Sequence, residues 1–373
     1  MGNYQVSQIS QSQLYMLFTL YLFTTILGFR IASLVTEAGF STWFPLLLGA
    51  FGGLVLTYFS YRLAIRRPTQ FFGLYGKEIV GKWIHYPLIL IMMFSNLFSA
   101  SYVLREMQDF MVEVYLPETP DWAVTILFGI CIAYAVRSGV QTIFRCAQGI
   151  FFLSVFGMLL VPLFVSRDMN AEMLVAFINH FDWKGIWNAT YFVTALFGEM
   201  TMCLFFFPYV KQPEKTMRSL RWAVISAVII ILSSLIPSLL VFGPHLTANL
   251  IYPELELIRY IRAGSFLENM DPVLIAVWLT SLFIKISLFL YGAVLLLTQT
   301  FSLQDHKPFT LSMTGMMIGL SLYMARSNME LAHVLFHGEI TFLFVTEVIP
   351  ILYLVVDLFR SPRLKHSANS NGK

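Results

Sequence analysis

The chain is short of charge and of cysteine, and each shortage closes off a class of protein. Asp, Glu, Lys and Arg make up 12% of its 373 residues, against about 25% in ordinary soluble domains, too little to cover a water-facing globule. Cys131, Cys146 and Cys203 are widely spaced with no CxxC pair, so neither a disulfide framework nor a metal centre follows. P-loop, GxSxG and HExxH patterns are missing, so no catalytic residue, metal or cofactor is assigned and the chain is read as a non-enzyme. No Gly/Ser linker or low-complexity tract separates domains. Residues 1–360 are read as one transmembrane bundle with halves at about 14–166 and 186–359, and 361–373 as a polar cytoplasmic tail.

What the chain does have is long apolar runs. Hydrophobic residues reach 57%, and runs able to cross a hydrocarbon core of about 30 Å lie near 14–36, 41–63, 84–104, 122–137, 146–166, 186–208, 221–242, 272–297, 309–327 and 339–359. Without water in that core to satisfy backbone groups, runs this continuous must be helices. The expected fold is therefore an all-α integral membrane protein of about ten transmembrane helices.

The N-terminus, MGNYQVSQISQSQ, lacks a basic n-region and is read as a short cytoplasmic tail, not a cleaved signal. The loops after the even-numbered spans, with the C-terminal tail, carry sixteen Lys and Arg, including Arg62, Arg66, Arg67, Lys211, Lys215, Arg218 and Arg221; the other loops carry six. Basic residues mark the cytoplasmic side, so both termini are expected there. Glu106, Asp109, Glu113, Glu118, Asp121, Glu254, Glu256, Glu268 and Asp271 are placed outside. The basic loops are read as topology determinants and contacts to anionic lipid, with no nucleic acid partner.

Arg30, Glu199 and Lys285 sit near the middle of apolar spans. A charge at that depth costs roughly 2.5–3.5 kcal/mol on insertion scales, so a chain that keeps one has a partner or a polar cavity for it. Span 1 carries TTILGFR (Thr24 to Arg30) and span 6 carries TALFGEM (Thr194 to Met200). Each has a Thr, an apolar stretch, and one Gly within two residues of a charge, at the first helix of each five-helix half. That is where an inverted five-plus-five repeat would place two interrupted helices. The GxxxG pairs Gly49/Gly53 and Gly315/Gly319 are read as packing sites, and residues 243–271 as carrying a surface helix against the bundle.

The loops add a resemblance. LREMQDFMVEVYLPETPDWAV (104–124), GVQTIFRCAQGIF (139–151), FGEM (197–200) with Pro208, and YPELELIRYIRAGSFLENMDPVLIAVWLTSLFIK (252–285) resemble bacterial spore germination permeases, the B subunits of nutrient germinant receptors. The resemblance covers nearly the whole chain. It implies the amino acid/polyamine/organocation superfamily with its LeuT-like fold, the bacterial inner or spore inner membrane, and partner A (membrane) and C (lipoprotein) subunits. Many relatives have a Gly-rich stretch near the first break, whereas here Arg30 follows Gly28 closely, which puts in doubt an amino-acid site built from backbone amides alone.

A bound amino acid needs partners for its carboxylate and its ammonium. Half-helix N-termini can serve the anion, and freed carbonyls or a carboxylate the cation. The expected binding residues are Thr25, Leu27, Gly28, Arg30, Asn96, Phe197, Gly198, Glu199 and Lys285, with Glu199 as ammonium partner and Arg30 or Lys285 as anion partner. The competing reading is a buried salt bridge from Glu199 to Lys285 or Arg30 that fixes packing and touches no ligand. Lys285 could also stand where sodium-coupled relatives hold a cation. Asn96, with Ser95, Ser99 and Ser101, could line a pocket or simply bond to helix carbonyls. Glu347 is expected to hydrate from outside, and His333/His337 to be a solvated pair. The expected function is a receptor subunit that binds a small nutrient, an amino acid by preference, and signals to its partners; the alternatives are a secondary amino acid transporter and a membrane scaffold or conduit.

Overall fold

The computed structural model describes residues 8–179, 181–260, 271–303, 305–325, 330–331 and 338–370. Its first membrane segment, Gln11–Ala64, is continuous helix over 54 residues, which at 1.5 Å per residue would run to about 80 Å. Helix α1 (Gln11–Thr25) is followed by a π-helical stretch, Ile26–Arg30, and by α2 (Ile31–Ala38). The chain then doubles back at Gly39, whose φ of 53° and ψ of −132° suit a residue without a Cβ. Helix α3 (Trp43–Ala64) is the return crossing.

After the short α4 (Phe72–Val80) come α5 (Lys82–Val114), α6 (Asp121–Ser138) and α7 (Val140–Val165), which complete the first half. The second half begins, after the single-turn α8 (Ala176–Asn179), with α9 (Trp183–Gly198), a 3₁₀ stretch at Glu199–Met202 and α10 (Cys203–Phe206). It continues through α11 (Thr216–Asn249), α12 (Pro253–Arg259), α13 (Asp271–Thr300), α14 (Lys307–Tyr323) and α15 (Ile340–Ser370). With the first segment folded in two and the 17-residue α14 counted, the described residues make ten crossings, two of them interrupted.

Both interruptions fall where the sequence places them. They are changes of helical pitch, π in the first span and 3₁₀ in the sixth, and not the extended breaks that would free a full set of amides. Two neighbours explain the positions. Gly28 lies under the Trp278 ring, where a Cβ would come within 1.9 Å of its Cζ2, and the Trp278 indole N–H donates to the Thr24 carbonyl at 3.0 Å. Gly198 lies under Glu347, whose Oε2 a Cβ would meet at 2.1 Å. A side chain from another helix fills the missing-Cβ space at each break.

Other boundaries move. Helix α5 runs 33 residues, well past the expected end of the third span, and carries Arg105, Glu106 and Asp109 into the buried interior; they are not loop residues. Arg105 pairs with Asp109 at 2.8 Å and Glu106 with Arg30 of the first span, which offsets the cost of burying them. Helix α11 kinks at Gly243, φ 71°, and α12 is wedged into the bundle, with Leu257 and Ile258 packed on Val161 and Val165.

The Gly49/Gly53 pair does mediate close packing, since a Cβ on Gly53 would come within 2.4 Å of Phe197 Cβ and 2.6 Å of its backbone carbon. A Cβ on Gly315 or Gly319 would meet nothing within 4 Å, so among the described residues they are not a packing motif. His333 and His337, and Glu268 in the connection before α13, lie outside the described residues.

Gly53→Ala should therefore force α3 away from α9 and lower stability by about 1–3 kcal/mol, the usual cost of overpacking. Gly315→Ala, which meets no atom of the described residues within 4 Å, should leave thermal melting of the detergent-purified protein unchanged or raise it slightly. Equal behaviour of the two variants would show that α3 and α9 do not meet so closely.

Candidate functional site

Lys285 on α13 and Glu199 at the start of the 3₁₀ stretch form a buried ion pair, Nζ to Oε2 2.7 Å, with Lys285 only 1% exposed. The Lys285 ammonium also stands 4.4 Å above the Tyr21 ring and 5.6 Å from that of Phe289, so aromatic faces supply much of its remaining solvation. Both charges are thus answered inside the protein, at the level where the sixth span changes pitch.

Arg30 belongs to a second cluster. It closes the π stretch of the first span, pairs with Glu106 of α5, reaches to 4.0 Å from Glu339 just ahead of α15, and lies 5.3 Å over the Tyr102 ring. Arg30 therefore ties the first span to α5 and to the last span. Of the two partners the sequence offers Glu199, the structure uses Lys285.

The nine sequence-derived candidates do not share one cavity. Asn96 and Glu199 line a cavity of about 30 Å³ together with Ser95, Thr201, Thr346 and Glu347. Leu27 and Gly28 line a different one, also about 30 Å³, beneath Trp278 and bordered by Phe110, Tyr252 and Glu254. Phe197 is buried against α3, and Gly198 makes room for Glu347. The Thr25 hydroxyl is buried without a hydrogen-bond partner among the described residues. Asn96 combines both of its expected readings: its amide N–H donates to the Met92 carbonyl at 2.8 Å, while Oδ1 has no partner among the described residues. Each cavity has room for water but falls far below the roughly 300 Å³ of an ordinary ligand pocket; this is a closed arrangement.

Glu347 corrects the sequence reading. It does not hydrate from outside: it is 4% exposed, and neither carboxyl oxygen has a hydrogen-bond partner among the described residues. The signal was available, because Glu347 lies mid-span by the same criterion that singled out Arg30, Glu199 and Lys285. Glu106 and Glu339 were hidden differently, by lying at span ends, where a charge is ordinarily solvated. Trp278 sits seven residues before Lys285, on the same face of α13, and gave no sign of its role at the first break.

Glu254, on α12 outside the spans, is also buried and not a solvated loop acid. Desolvation pushes its carboxyl up to about 7, opposed by a hydrogen bond that the Ser234 hydroxyl donates at 2.8 Å.

The ten-crossing bundle with its first and sixth helices interrupted is the LeuT-like transporter fold. Two solved structures that share it are MhsT in complex with L-phenylalanine (TM-score 0.68, 14% identity, 91% of this chain and 88% of that one) and Mhp1, a nucleobase-cation-symport-1 family transporter, closed with bromovinylhydantoin bound (TM-score 0.67, 12% identity, 94% and 78%). At those identities the likeness carries the fold alone.

Within that fold the chain belongs to the spore germination protein family, whose model matches residues 8–329. Relatives include spore germination protein XB of Bacillus anthracis, 29% identical over 57% of this chain and 59% of that protein's length. Spore germination protein KB of Bacillus subtilis (strain 168) is 26% identical over 73% and 75%.

Glu254 gives a pH test. A carboxyl whose folded pKa is raised stabilises the fold in its neutral form, fully below its unfolded value near 4.5, and that contribution is lost as pH rises through about 7. The wild-type melting temperature should fall across this window, and Glu254→Gln should flatten the fall. An unaltered pH profile in the variant would show that Glu254 is hydrated.

Proposed function

We propose that this chain is the membrane B subunit of a nutrient germinant receptor: it binds an amino-acid-sized nutrient at mid-membrane and passes that occupancy to partner A and C subunits. The observation that carries the reading is the Glu199–Lys285 pair, set at the break of the sixth span beside a cavity lined by Asn96, Thr201 and Glu347. A buried ion pair across a change of pitch, next to oxygens of Asn96 and Glu347 without hydrogen-bond partners among the described residues, is a joint able to exist in two arrangements.

For such a joint to report a nutrient, the nutrient must bind one arrangement better than the other, since equal affinity shifts nothing. The present cavity is too small for an amino acid. Binding therefore requires α15 or the Glu199–Met202 stretch to move away from α5, and that displacement is the signal available to a partner subunit. Membership of the spore germination family supports this assignment, with both termini on the cytoplasmic side of the spore inner membrane, where the basic loops would place them.

The transporter fold itself favours a second reading, in which the same movement carries the nutrient across the membrane. The two readings separate in proteoliposomes. A receptor subunit should bind one of a panel of radiolabelled L-amino acids in nanodiscs yet show no time-dependent uptake into vesicles, and Asn96→Ala should weaken that binding severalfold at an unchanged melting temperature. Concentrative uptake by the chain alone would overturn the receptor reading in favour of transport; absence of binding to any panel member would overturn both.

A further inference from the structure

Five carboxyl groups, Glu106, Glu199, Glu254, Glu339 and Glu347, are buried around the two breaks, while the buried cations there are Arg30 and Lys285; Glu254 accepts from the Ser234 hydroxyl. Lys285 is committed to Glu199 at 2.7 Å, and Arg30 to Glu106 with Glu339 at 4.0 Å. Glu347 is left over. Its Oε1 and Oε2 are both buried and without hydrogen-bond partners among the described residues, and its carboxyl borders the cavity shared with Ser95, Asn96, Glu199, Thr201 and Thr346.

The wall of that cavity is rich in acceptors. The Ser95 and Thr346 hydroxyls lie 3.1 Å apart and answer each other, and the Thr346 hydroxyl also reaches the Leu343 carbonyl at 2.7 Å. One of the two Asn96 amide N–H groups donates to the Met92 carbonyl, and Asn96 Oδ1 is a further open acceptor among the described residues. That oxygen is held near Gly292 of α13, where a Cβ would meet it at 2.9 Å. A desolvated carboxyl with no donor is costly when ionised, so the cavity is built for a guest that brings positive charge and several N–H groups.

We propose that Glu347 is the counter-ion for a primary ammonium group, which would sit between its carboxylate and Asn96 Oδ1, with Glu199 and Lys285 close by. This deepens the nutrient-binding reading and rests on it. The nutrient class becomes one with a free primary amine, bound amine-first against α15, and sugars and 2-hydroxy acids are excluded. A primary ammonium presents three donors, a match for the three unpartnered oxygens of Glu347 and Asn96. The role expected of Glu199 passes to Glu347, because Glu199 already has its cation.

The test uses the full chain in nanodiscs and reads apparent affinity from ligand-induced thermal shifts. The probes are the L-amino acids, the 2-hydroxy acids of matching side chain, methylammonium chloride and sodium chloride. The wild type should be stabilised by at least one amino acid and, at higher concentration, by methylammonium, but not by the matching hydroxy acid or by sodium. Glu347→Gln should weaken the amino acid at least tenfold with the ligand-free melting temperature retained, and Glu347→Asp should fall between the two.

Amino acid binding unchanged in Glu347→Gln would overturn the counter-ion role while leaving the nutrient reading intact. Equal stabilisation by the hydroxy acid would overturn it from the wild type alone, whether or not the variants fold. Stabilisation by sodium in place of any amine would overturn it in favour of an alkali-ion site. A chain that responds to none of the probes overturns the nutrient reading as well.

Discussion

The bundle depends on one buried contact, the ion pair between Lys285 of α13 and Glu199 at the break of the sixth span. A lone ammonium or carboxylate at this depth would have to be neutralised or drag water in. Paired, each makes the other tolerable, and the pair pins the 3₁₀ stretch in the middle of the sixth span to a regular helix. Tyr21 and Phe289 complete the enclosure. The aromatic face of the first span therefore meets the charge of the sixth through Lys285, which brings the two breaks into one neighbourhood.

Around that contact the glycines act as spaces. Gly28 admits the Trp278 ring, Gly198 admits the Glu347 carboxyl, and Gly53 admits the backbone of α9 at Phe197 and Gly198. A residue with a Cβ at any of the three would push apart helices that must touch for the charges to be enclosed. The same economy makes the site small, because space at the breaks is filled by protein and a nutrient can enter only if helices part. A receptor working by differential affinity needs such a closed state beside an open one.

Much of this was legible in the sequence, for identifiable physical reasons. Apolar runs longer than about 18 residues have no soluble explanation, so the helix count followed from the chain. The two Gly-plus-charge segments marked the breaks because a mid-span charge demands local compensation. What escaped was the pairing. Arg30 had Glu199 as a candidate partner, but the extra turns of α5 brought Glu106 to it, and a helix that continues beyond its apolar run gives no hydropathy signal. Glu347 was visible by the same mid-span rule but was assigned to water, because no sequence pattern says which face of α15 meets Gly198. Trp278 illustrates the same limit: one tryptophan in an apolar helix carries no mark of the glycine it covers.

The most direct test of the account is a double-mutant cycle on the central pair, read as thermal and denaturant stability of the purified protein. Glu199→Gln and Lys285→Met should each destabilise by about 3–5 kcal/mol, because each leaves the other group buried without its partner, and the double variant should recover most of that loss. Additive losses, with no recovery when both charges are gone, would contradict the claim that these two groups hold the interrupted helix in place.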